Sequence, residues 1–135
     1  MKISDLQNLN TEAMAYMGDA VYEQVVRERL LQCGYARVDH LHHLAVRYVN
    51  AEAQAEAIRT VFDELTEEEQ ALVKQARNHR FHSKAKNADP VTYKWATAFE
   101  ALIGYYYLAE QEDRLQWFLE RAFAAIGGEL HGESI

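Results

Sequence analysis

Proline is nearly absent from this 135-residue chain: Pro90 stands alone, and glycine occurs only six times. With so few helix breakers and 49% hydrophobic residues, helices can run long, and an all-α fold is expected. Cysteine is equally scarce. Cys33 by itself excludes an internal disulfide and a cysteine-based zinc site, leaving a buried thiol as its simplest role. No run of eighteen apolar residues exists, and Met1-Lys2-Ile3-Ser4-Asp5 lacks the apolar core of a signal peptide. A soluble cytoplasmic protein with no membrane partner is expected. The length suits a single domain over residues 1–135.

Positive charge is also in deficit, with 14 Lys and Arg against 21 Asp and Glu, a net charge of −7. At first sight that excludes a nucleic-acid partner, since phosphate binding draws on cations. The average conceals a polarised chain. Between Lys74 and Lys94 stand Lys74, Arg77, Arg80, Lys84, Lys86 and Lys94 against Asp89 alone, so this segment carries +5 and the remainder −12. One surface can therefore meet a polyanion while the rest repels it; a solvated loop with scattered charge is the plainer alternative.

Taken in order, residues 1–10 form a lead-in, and Asn10 or Thr11 can cap a helix from about Glu12 to Cys33, ended by Gly34. Apolar residues on more than one side make this helix central, with neighbours on both faces. A second, alanine-rich helix is expected from Val38 to about Phe62, carrying Leu41, Leu44, Ala45, Val49, Ala53 and Ala57 at helical spacing. Thr66-Glu67-Glu68-Glu69 reads as a capping box opening a third helix to about Asn78. A long loop follows from His79 to Pro90, of the length that usually carries function. The fourth helix, to Ala109, is the most apolar, and a fifth over about Asp113 to Ile126 closes at Gly127-Gly128, with a frayed tail beyond. A bundle of about five main helices results.

Two acids interrupt this pattern. On an ideal helix, advancing about 100° per residue, Glu12, Asp19 and Glu23 fall within about 40° of one another, on a stripe that continues through Val26 and Leu30. Glu100 is the lone acid in the middle of the fourth helix, flanked on its face by Tyr93, Ala96, Thr97, Gly104 and Tyr107. A buried carboxylate needs a partner. An arginine from another helix, such as Arg47 or Arg77, would serve. The alternative comes from the glycines: Gly18 directly precedes Asp19 and Gly104 lies one turn after Glu100. Glycine inside a helix costs up to about 1 kcal/mol against alanine, a cost that signals a close helix contact. If the two helices cross at Gly18 and Gly104, Asp19 and Glu100 can share one ion, and hard oxygen ligands favour Mg²⁺ or Mn²⁺.

On these residues the chain resembles a known family. Tyr16-Met17-Gly18-Asp19-Ala20-Val21-Tyr22-Glu23 resembles the signature helix of ribonuclease III, and Ala98-Phe99-Glu100-Ala101-Leu102-Ile103-Gly104 resembles its second acidic motif. More specifically the chain is similar to Mini-ribonuclease III, the short form without a double-stranded-RNA-binding domain. Leu41-His42, Tyr48-Val49, Gln54-Ala55, Arg77-Asn78 and Lys86-Asn87 also take part, so the likeness spans nearly the whole chain. It implies a ribonuclease III endonuclease fold and a homodimeric, metal-dependent endoribonuclease acting on double-stranded RNA. Family substrates include precursor large-subunit ribosomal RNA, with a ribosomal protein as possible helper. Asp19 and Glu100 would be the catalytic metal ligands, with Mg²⁺ replaceable by Mn²⁺ and products bearing 5′-phosphate and 3′-hydroxyl ends.

The likeness is incomplete. Ala15 stands where ribonuclease III has a glutamate, and Thr97 where it has an aspartate, so two of four acids remain and one firmly held ion per centre is expected. Glu23 either joins through water or is a surface or interface acid. Lys74, Arg77, Arg80, Lys84 and Lys86 are the candidate RNA-binding residues, in a loop less basic than the family's usual one; they would grip phosphates and 2′-hydroxyls without reading much sequence. Asp39-His40-Leu41-His42-His43 offers no good metal site, since His40 and His42 diverge by about 200° on a helix. The rival functions are a catalytically inactive, ribosome-associated RNA-binding relative and, more distantly, a non-enzymatic helical interaction domain.

Overall fold

The Asn10 side chain accepts a hydrogen bond from the Ala13 amide at 2.7 Å, and the longest helix starts behind it. In the computed structural model, which describes residues 1–79 and 89–127, seven α-helices and one 3-10 turn occur among the described residues, and no strand. They are α1 (Ile3–Gln7), α2 (Thr11–Gln32), α3 (Val38–Val49), α4 (Ala51–Val61), α5 (Glu67–Asn78), α6 (Pro90–Leu108) and α7 (Glu112–Ile126), with the 3-10 turn over Phe62–Glu64. The fold is all-α, as expected. Arg80, Lys84, Lys86, most of the expected loop and the C-terminal tail lie outside the described residues.

The helix ends follow local chemistry. Gly34 turns the chain at φ +95° after α2, and Gly127 does so at φ +76° after α7. Thr66 and Glu69 form both halves of a capping box at the start of α5, the Glu69 amide donating to Thr66 Oγ1 and the Thr66 amide to Glu69 Oε1. Asp89 caps α6, accepting from the amides of Val91 and Thr92, and Pro90 takes the first helical position, where no amide hydrogen is needed.

Two expectations change. The single helix expected from Val38 to Phe62 is broken at Asn50, whose ψ of 154° is extended. Its side chain serves both pieces, donating from Nδ2 to the Val46 carbonyl at 2.7 Å and accepting at Oδ1 from the Ala53 amide at 2.8 Å. The apolar spacing carries on across the corner, which is why periodicity alone hides it. The residues 1–10 also gain a short helix, α1.

The second change concerns which helix is central. α6 is buried nearly all round, from Ala96 to Phe99, Ala101 to Gly104 and Tyr106, and is flanked by α2, α4 and α5. α2 buries one face only, with Ala15, Gly18, Val21, Tyr22, Val26 and Leu30 inward, while Tyr16 (83% exposed) and Leu31 look outward. Tyr22 packs edge-on against Phe99 with centroids 4.9 Å apart, and its hydroxyl donates to the Tyr48 carbonyl at 2.9 Å, tying α2 to α3 through the core. Farther out, Arg114 on α7 makes two hydrogen bonds, of 3.0 and 2.6 Å, to the buried Glu69 carboxylate and so ties α7 to the start of α5. The Tyr106 hydroxyl approaches this pair without reaching hydrogen-bond geometry.

At the crossing of α2 and α6 the backbones touch. A Cβ on Gly18 would lie 1.7 Å from the Glu100 carbonyl oxygen, and one on Gly104 would lie 2.0 Å from that of Met14. Both obstacles are backbone and cannot swing away. Gly18→Ala gains about 1 kcal/mol of helix propensity yet should lose about 1–3 kcal/mol net through overpacking. Urea unfolding measures this; equal or greater stability would show that the helices separate freely.

Candidate active site

The crossing brings together the two acids that interrupt the helices. Asp19 follows Gly18 on α2 and is exposed; Glu100 precedes Gly104 by one turn on α6 and is partly buried. Burial first, and then the neighbouring Asp19 carboxyl and its charge, push the Glu100 carboxyl up to about 9. At neutral pH Glu100 therefore keeps a proton. Neither Arg47 nor Arg77 is among the groups acting on Glu100; the Arg77 guanidinium lies instead over the Trp95 ring, 5.0 Å from its centroid.

A third residue completes the pair. Gln54, one turn into α4 and buried, lies close enough to the Glu100 carboxyl to favour its charged form, and donates from Nε2 to the Val49 carbonyl at 3.3 Å. An amide nitrogen has two hydrogens, so the bond to Val49 leaves one for the carboxyl. Sequence reading passed over Gln54 as a site residue. The signal was available, since Gln54 falls on the same helical face as Ala57, Ile58 and Val61, where a polar side chain is out of place unless something buried answers it.

The carboxylate stripe of α2 does not act as a unit. Glu12 faces His79 at 3.6 Å, Glu23 pairs with Arg27 at 3.1 Å, and only Asp19 meets Glu100. The two positions at which acids are missing bring no carboxylate: Ala15 is buried, and buried Thr97 donates its hydroxyl to the Tyr93 carbonyl at 2.9 Å. Among the described residues no group of three or more His, Cys, Asp or Glu is arranged to hold a metal ion. The donor set is thus two carboxylates with an amide behind one of them, oxygen chemistry that fits Mg²⁺ or Mn²⁺. His42 and His43 are exposed, and His40 lies edge-on to Tyr35 at 5.3 Å.

Of the candidate RNA-binding residues, Lys74 is exposed on α5 with its ammonium 5.8 Å from the Phe62 ring centroid, and Arg77 is half-buried at the end of that helix. Arg80, Lys84 and Lys86 lie outside the described residues.

Comparison with known proteins gives the same direction. The model of the Ribonuclease III domain matches residues 12–111. The Mini-ribonuclease 3 of Symbiobacterium thermophilum is 48% identical over 122 residues, covering 90% of this chain and 94% of that one. The Mini-ribonuclease 3 of Brevibacillus brevis is 46% identical, covering 89% and 90%. A crystal structure of a protein from Fusobacterium nucleatum superposes with a TM-score of 0.76 at 29% identity, over 86% of this chain and 93% of that one.

The raised Glu100 carboxyl has a measurable consequence. Unfolded, it titrates near 4.5; folded, near 9, so between those values the folded state holds a proton that the unfolded chain has lost, and stability falls as pH rises. In EDTA, Glu100→Gln should gain stability over the wild type from pH 5 to pH 8.5. A difference independent of pH in urea titrations would refute the raised value. By its domain match and by relatives of close to half identity along most of its length, the chain belongs to the ribonuclease III family, among the Mini-ribonuclease 3 proteins.

Proposed function

We propose that this protein hydrolyses double-stranded RNA at the Asp19 and Glu100 pair in a reaction that requires a divalent cation, Mg²⁺ or Mn²⁺ in its place. Family membership already makes it an endoribonuclease of the ribonuclease III type. The observation that carries the finer reading is the pair itself. Two acids from different helices face each other at the crossing with no arginine or lysine acting on Glu100, and a cation is the natural replacement for the proton that Glu100 holds.

Each chain residue then has a defined task. Asp19 offers its carboxylate from the exposed side of the crossing, Glu100 offers the second from the buried side, and Gln54 orients Glu100 while favouring its ionised form. When bound, the cation supplies positive charge for a phosphate oxygen and acidifies water for attack. In-line attack on phosphorus expels the 3′ oxygen and leaves 5′-phosphate and 3′-hydroxyl ends. Because Ala15 and Thr97 bring no carboxylate, one firmly held ion per centre is the reading.

Substrate and assembly follow from the surfaces. Lys74 and Arg77 stand at the end of α5, where the basic segment begins, and would contact duplex phosphates together with Arg80, Lys84 and Lys86. Exposed Leu31 and Val38 border a groove of about 240 Å³ between α2 and α3 whose lining also includes Leu30, Leu41, Ala45 and the Glu23 and Arg27 pair, and with exposed Tyr16 and Val46 elsewhere on these helices they favour a homodimer. Precursor large-subunit ribosomal RNA as substrate, a ribosomal protein as helper and a cytoplasmic location complete the proposal. No described helix is long and apolar enough to cross a membrane.

Asp19→Asn and Glu100→Gln should each abolish cleavage of duplex RNA in Mg²⁺ while circular dichroism stays native; wild-type activity in either would refute the ligand assignment, and undiminished cleavage in EDTA would refute cation dependence. Gln54→Ala should weaken activation by Mg²⁺ about 10- to 100-fold, seen as a shift in the Mg²⁺ midpoint, with duplex binding in EDTA unchanged. An unshifted midpoint would remove Gln54 from the site.

A further inference from the structure

Around Trp95, away from the acid pair, three cations from two helices are held against aromatic rings. Trp95 lies on α6 about 140° round the helix from Glu100, half-buried, with Phe62 edge-on to it at 6.2 Å. The Arg59 guanidinium from α4 lies 5.9 Å from the Trp95 centroid and that of Arg77 from α5 lies 5.0 Å from it, while the Lys74 ammonium lies over Phe62. Among the described residues none of the three is in an ion pair. Arg59 is exposed; its Nε donates to its own helix at the Ala55 carbonyl, at 3.3 Å.

Acids do lie nearby. Glu52 and Glu56 line a shallow depression with Arg59, Thr60 and Thr92, and Asp89 feels the Arg59 charge. The Asp89 carboxylate, however, is engaged by the Thr92 hydroxyl and by two amides at the start of α6. Arg77 Nε donates to Asn78 Oδ1 at 3.3 Å, so among the described residues the hydrogen bonds of both guanidiniums use Nε alone.

We infer that Arg59, held with Arg77 on the Trp95 ring, is an RNA-contacting residue that extends the phosphate-binding surface from the end of α5 onto α4. The inference rests on the proposed duplex-RNA function. The physical reason is preorganisation. A stacked guanidinium has surrendered much of its rotamer freedom before any ligand arrives, and its planar fork still presents N–H donors to a phosphate. The spread across α4 and α5 suits a rigid duplex, whose phosphates form a regular track. It also explains how a chain of net charge −7 can hold a polyanion with few cations.

The test is binding of a 30-base-pair RNA duplex in EDTA across a salt series. Arg59→Ala should bind about five- to tenfold more weakly near 0.1 M salt and flatten the log–log salt slope by about one. Arg59→Lys should keep the slope yet bind more weakly than the wild type, because the charge stays and the stacking plane is lost. Trp95→Leu should weaken binding with little change in slope. Arg59→Ala with unchanged affinity and slope, alongside weakened Lys84→Ala/Lys86→Ala protein, overturns this inference alone. Wild-type protein that fails to bind the duplex at any salt overturns it together with the proposed function.

Discussion

Gly18 and Gly104 let the backbones of α2 and α6 touch, and the acid pair depends on that contact. Any side chain at either position would meet a carbonyl, so the spacing of the helices is set by peptide groups rather than by deformable side chains. Asp19 and Glu100 each lie within a turn of the crossing, which converts one steric fact into a fixed separation between two carboxyl groups. Two mid-helix glycines reduce helix propensity by about 1 kcal/mol each, and the burial of α6 on nearly every side offsets that loss.

The electrostatics divide the molecule in two. Where an acid is needed for structure, it is neutralised: Glu69 is buried but held by Arg114 and by the Thr66 amide, which lower its carboxyl below the usual range despite burial. Arg121 and Glu64 bind α7 to the 3-10 turn in the same manner. Glu100 is treated the opposite way. Its nearest charged neighbour is another acid, so the protein stores an electrostatic deficit there that only a proton or an external cation can relieve.

Much of this was legible in the residues. Scarce proline and regular apolar spacing announced an all-α fold, Thr66 and Glu69 announced a helix start, and a glycine beside each misplaced acid pointed to the crossing. What was hidden depends on three dimensions. The break at Asn50 leaves the spacing of apolar residues unchanged, so no periodicity reports it. The exposure of one side of α2 also escapes periodicity, because Tyr16, Ala20 and Leu31 are apolar yet face outward. The stripe of Glu12, Asp19 and Glu23 looked like one cluster because helical angle says nothing about partners; His79 and Arg27 claim the outer two. Gln54 and the cations on Trp95 required knowledge of which helices are neighbours.

The corner at Asn50 acts as a register stop for the site. Since its side chain clamps the last turn of α3 and the first turn of α4 at once, α4 starts at a hydrogen-bonded origin, and Gln54 is counted from it by four residues. A helix that began wherever packing allowed could slide or rotate; this one is indexed. One residue inserted after Asn50 would turn Gln54 by about 100° away from Glu100, and Ala57, Ile58 and Val61 with it, so the core face of α4 and the acid's guide are set by the same origin.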